Sequence, residues 1–187
     1  TVTGIPGILD MAWDPGNERM FGGHGGNIIY VMDFATRTLV DQITAPCNVR
    51  GLAYDPWDEV FYANNLSSNI TLFDYEGDTL FSFPVGETGN LYGLAVDWEG
   101  DHYLWGFSRD ETGALLVEYD IWEKQATGVT IDASYLAEND GQACGLYINY
   151  DIVENCAPLG GTLWTAVAFG FALHEELSWG WDPPGVD

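Results

Sequence analysis

Basic residues are scarce in this chain: 5 Lys and Arg stand against 29 Asp and Glu, a formal net charge of -24. Binding to a phosphate backbone needs a basic footprint, so nucleic acid is excluded as a partner. An anionic membrane surface is disfavoured for the same reason. The chain also lacks an apolar run long enough to cross a bilayer, so no membrane insertion is expected. It contains no Cys-x-x-Cys pair, which removes zinc ribbons and thioredoxin-like chemistry. Its three cysteines, Cys47, Cys144 and Cys156, allow one intrachain bridge at most. Cys144–Cys156 is the bridge expected, on a strand and the loop after it; three buried thiols are the alternative. No Gly-x-Ser-x-Gly elbow occurs, and the glycine-rich stretch Gly22–Gly26 lacks the Lys and following helix of a phosphate-binding loop. Sustained apolar spacing at helical period is absent, with one helical turn expected within 133–142. With Thr1 first, the chain reads as a mature protein or an excised piece.

What is present is a repeat. Hydrophobic residues make up 47% of the chain and aromatics 14%, enough for a core, and the acids are spread along the sequence rather than gathered in a disordered tail. Leu9-Asp10-Met11-Ala12-Trp13-Asp14, Arg50-Gly51-Leu52-Ala53-Tyr54-Asp55, Tyr92-Gly93-Leu94-Ala95-Val96-Asp97 and Cys144-Gly145-Leu146-Tyr147-Ile148-Asn149 are four copies of one element. The closing Asp of the first three recurs after 41 and then 42 residues. Each copy is followed by further short runs of β-branched and aromatic residues, such as Val60-Phe61-Tyr62-Ala63, Ile70-Thr71-Leu72-Phe73 and Thr79-Leu80-Phe81-Ser82-Phe83. Turn sequences such as Asp14-Pro15-Gly16-Asn17 and Glu76-Gly77-Asp78 separate them. This is the pattern of strands in hairpins, with four strands per unit of about 40 residues.

The unit running from Gly51 to Phe83 resembles the repeats of the NHL/YVTN-like β-propeller superfamily, and the propeller regions of large secreted bacterial surface proteins. The resemblance implies an all-β propeller of four four-stranded blades over 1–182, with blades near 8–45, 49–85, 91–133 and 143–181 and a linker-like tail at 183–187. Two closures follow. In one, residues 1–5 supply the missing strand of the fourth blade and four blades close into a ring. In the other, the chain is part of a larger propeller.

Candidate chemistry is sparse. His24, His102 and His174 fall at different points of the repeat, so no triad or zinc site is expected and all three read as surface or edge residues. Asp14, Asp55 and Asp97, with Asp151 as a fourth, recur after the first strand of each unit. If they converge they form a carboxylate ring suited to Ca²⁺; otherwise each caps its own turn. Trp57 and Trp98 follow this Asp in the second and third units, placed either for carbohydrate stacking or for packing between blades. The sequons at Asn65 and Asn69 and the acidic, aromatic composition fit an extracellular or cell-surface chain. The expectation is a non-enzymatic binding or scaffold module that presents loops to a glycan, to a protein or to copies of itself. A structural subunit of a surface or filamentous assembly, and a propeller-type lyase or glycosidase, are the alternatives.

Overall fold

The computed structural model describes residues 4–87, 89–99, 101–110, 113–134, 143–149, 162–169 and 171–178. Every regular element among them is a β-strand. The first sheet holds β1 (Asp10–Asp14), β2 (Arg19–Gly23), β3 (Ile28–Asp33) and β4 (Thr38–Thr44). The second holds β5 (Gly51–Asp55), β6 (Val60–Asn64), β7 (Ile70–Phe73) and β8 (Thr79–Phe83), and the third β9 (Asn90–Val96), β10 (Tyr103–Asp110), β11 (Gly113–Asp120) and β12 (Gln125–Asp132). A fourth sheet comprises β13 (Ala143–Asn149), β14 (Thr162–Phe169) and β15 (Phe171–Ser178). Three sheets thus have four strands and one has three, each paired in sequence order and antiparallel throughout. The architecture is all-β and propeller-like. Gly4 and Ile5 carry no strand, and residues 1–3, 179–187 and most of 133–142 lie outside the described residues, so the expected closing strand, tail and helical turn are not described.

Burial explains the strand order. The second sheet's β5 and β6 are buried at every residue, whereas β8 is exposed except at Phe83. A strand flanked on both faces by other sheets needs apolar residues throughout, and an outer strand does not. The first strands of the sheets, β1, β5, β9 and β13, approach one another. Between consecutive sheets lie separate cores. Phe21, Ile29 and Val31 meet Leu52, Phe61 and Phe73 between the first and second; Tyr62, Ile70 and Phe83 meet Leu94, Leu104 and Tyr119 between the second and third. Phe107 and Leu116 meet Leu146 and Ile148 between the third and fourth.

The turns show why Asp recurs. Asp14 Oδ1 accepts from the Gly16 and Asn17 amides at 2.9 and 3.2 Å, and Asp33 and Asp120 cap the turns after β3 and β11 in the same way. The last residue of several hairpin loops is left-handed without being glycine: Glu18, Glu59 and His102 before β2, β6 and β10, and Arg37 and Lys124 before β4 and β12. A loop that ends in this conformation restores the strand twist, and the Asp at its start compensates by satisfying the turn amides.

Candidate functional site

Two aspartates at opposite ends of the inner strands set the geometry. Asp10 begins β1 and is fully enclosed. Its Oδ2 accepts from the backbone amides of Leu52 and Leu94 at 2.7 and 3.0 Å. Its Oδ1 accepts from Met11 and Leu146 at 3.0 and 3.3 Å. One carboxyl group therefore ties β1 to β5, β9 and β13. Burial pushes its pKa well above the usual carboxylate value, against the opposing pull of the four amides.

The other end carries the hairpin loops, and here the candidate site assembles. Asp55 ends β5 with its side chain fully buried. Its Oδ1 accepts from the Trp57 amide at 2.9 Å, and its Oδ2 lies 2.5 Å from Nε2 of His102, which leads into β10 of the next sheet. A carboxylate only accepts, so Nε2 is the donor of this bond. The His102 side chain is 12% exposed, and its backbone sits at φ 63°. Trp57 meets the imidazole edge-on at 5.4 Å between ring centroids, and Trp122, from the turn after β11, does so at 6.0 Å. Both indoles face outward, 64% and 68% exposed. Nearby, the Lys124 ammonium lies over the Phe81 ring at 4.3 Å. The surface is an aromatic pair on a rigid imidazole, backed by a buried acid.

Donor atoms of Asp55, Asp58 and His102 lie within 4.8 Å of one another, the one group of three His, Cys, Asp or Glu side chains among the described residues close enough to share a metal ion. Asp14, Asp55 and Asp97 do not come together in this way. Asp14 and Asp55 are engaged by their own turns, and the Asp97 amide donates to the Tyr103 carbonyl at 2.7 Å. Asp151 lies outside the described residues. The tryptophans expected to act as a pair divide: Trp57 is exposed, while Trp98 is partly buried against the core of the second and third sheets. His102, expected at the surface or an edge, is instead largely buried and bonded across sheets. Cys156 and the Cys144 side chain lie outside the described residues; Cys47 is a free, partly buried thiol whose pKa burial pushes up.

Sequence reasoning missed Trp122, which stands where the first sheet's equivalent turn has Ala35, and Asp58, whose partner becomes visible only when two sheets pack. It also missed Asp10, although the signal was present: Asp10 occupies the position that is Gly51, Gly93 and Gly145 in the other copies. A cavity of about 30 Å³ opens between the inner strands, lined by Trp13, Tyr54, Trp98 and Ile148 among others. It has room for a water molecule or two and not for a sugar ring. Burial, with the charges of Asp14, Glu59 and Asp55 behind it, pushes the Tyr54 hydroxyl up to about 12, so it stays a neutral phenol.

The fold resembles that of a solved structure, U3-55K, a WD40-type propeller, with a TM-score of 0.54, 14% sequence identity, and coverage of 95% of this chain and 53% of that one. At this identity the likeness concerns the fold alone, and the chain spans about half the length of U3-55K. No protein-family model matches the chain. No curated protein matches it.

Proposed function

We propose that this protein is a non-enzymatic, extracellular carbohydrate-binding module, with Trp57 and Trp122 as the stacking platform of the loop face. The observation that carries this reading is the placement of two largely exposed indoles against one imidazole that a buried carboxylate holds still. Exposed aromatic faces beside hydrogen-bonding acids suit the apolar faces and hydroxyls of sugars, and a pre-ordered platform loses little entropy on binding. The net charge of -24 favours neutral over anionic glycans. The test is a glycan array followed by calorimetry on the best neutral hit. Trp57→Ala and Trp122→Ala are each expected to weaken binding at least tenfold; unchanged affinity in both would overturn the proposal.

We also propose that the fourth unit completes a closed four-bladed ring. The contact between β1 and β13 and the reach of Asp10 to β5, β9 and β13 support it. A monomer near 20.6 kDa by light scattering is expected; a stable dimer favours two half-rings and the structural-assembly alternative. A second reading concerns the cation. With an imidazole in the donor set, Asp55, Asp58 and His102 suit Zn²⁺ better than Ca²⁺, which prefers oxygen alone. A melting temperature raised by Zn²⁺ and indifferent to Ca²⁺ is the expected sign, and a response to Ca²⁺ alone overturns it.

A further inference from the structure

We propose that the axis between the four inner strands is a built carboxylate-binding site, filled in this chain by its own Asp10 and able to take a small external carboxylate when that side chain is removed. The donors come from the fold and not from the occupant. Amides of Leu52, Leu94 and Leu146 belong to β5, β9 and β13, and the fourth is that of Met11, the residue after Asp10. All four are backbone groups, so they stay in place whatever side chain stands at position 10. Two oxygens receive two amides each, which matches the acceptor capacity of one carboxylate. Converging amide dipoles are fixed and close, and they offset part of the cost of taking a carboxylate out of water here.

Space allows one occupant. A Cβ at Gly145 would lie 2.8 Å from Asp10 Oδ1, and one at Gly93 would lie 2.8 Å from the Gly145 carbonyl carbon. At Gly51 it would meet the Asn64 side-chain oxygen at 2.5 Å. Three copies of the repeat are glycine at this level, therefore, and the fourth supplies the ligand. Acetate is the aspartate side chain cut at its Cα–Cβ bond, so Asp10→Gly leaves a void of matching shape.

The test uses Asp10→Gly in the full chain, with sodium acetate compared against sodium chloride and acetamide at pH 7. The variant is expected to melt below the wild type. About 100 mM acetate should raise its melting temperature by about 3 °C beyond chloride at equal ionic strength, in a saturable way. The wild type should show no such difference, and acetamide, whose NH₂ opposes the amides, should not substitute. Equal responses of the variant to acetate and chloride would overturn the proposal. If the variant does not fold in chloride, refolding in acetate alone supports it. If it folds in neither, hydrogen exchange on the wild type decides. Leu52, Leu94 and Leu146 amides exchanging only at the rate of global unfolding support the site, and exchange as fast as the exposed loop amides overturns it.

Discussion

The two ends of the inner strands use the same residue type for opposite purposes. At the start of β1, Asp10 is enclosed by backbone donors and shows nothing to solvent. Four residues on, roughly 13 Å along the strand, the aspartates that end β1 and β5 hold turns, and Asp55 also holds His102 beneath two exposed indoles. Every acceptor position of Asp10 is filled from within, so its work is internal. At the loop end the acid is satisfied and the aromatic surface above it is not, which leaves binding energy for a partner. The difference teaches that burial alone does not mark a functional carboxylate; what matters is whether its neighbours remain exposed.

The comparison breaks most sharply at Asp10. Asp10→Asn must turn its NH₂ toward two of the four amides, leaving them unpaired in the interior, and is expected to lower stability by about 3 kcal/mol or more. Urea unfolding checks this, and a loss under about 1 kcal/mol would show that the amides find water instead. Next in size is Gly93→Ala. Its methyl group has backbone as its nearest neighbour, which cannot swing away, so about 1–3 kcal/mol is expected by the same measurement.

The acidity of Asp10 sharpens the contrast further. Its folded pKa is raised, so between the unfolded carboxylate value of about 3.9 and its own higher value the folded state binds more protons than the unfolded. Its contribution to stability therefore falls as pH rises through that window. Asp33 and Asp132 are held low by hydrogen bonds with Thr36 and Ser134 and act in the opposite sense below the usual carboxylate range. The stability difference between wild type and Asp10→Asn should accordingly shrink from pH 4 upward; a flat difference would contradict the assignment. The smallest effect on folding is expected at the other end, where Trp57→Ala and Trp122→Ala together should cost less than about 1 kcal/mol by the same urea measurement.

Much of the fold was legible. Alternating apolar runs between Asp- and Gly-rich turns fix strands wherever the pattern is regular, and repetition tells which strands are equivalent. The Gly51 and Gly93 copies aligned without ambiguity because their neighbours Leu52 and Leu94 face equivalent cores. The same regularity concealed the site. Asp55 looks like Asp14 in one dimension, yet only Asp55 has a histidine from the following sheet within reach. Trp57 and Trp98 look equivalent, but the third loop is one residue longer, and Trp98 turns against the core. Trp122 stands in a different turn of a different sheet from Trp57, and no periodicity relates them.

The sequence by itself determined the β-strand composition, the repeated unit and the acidic character of the chain. These depend on local preference and on counting, both carried by neighbouring residues. Tertiary structure alone decided that Asp10 is bound by amides 42, 84 and 136 residues away. It also decided that His102 lies between two indoles over Asp55. Such contacts arise when separate sheets pack against one another, and the distances between sheets are not written in the spacing of residues along the chain.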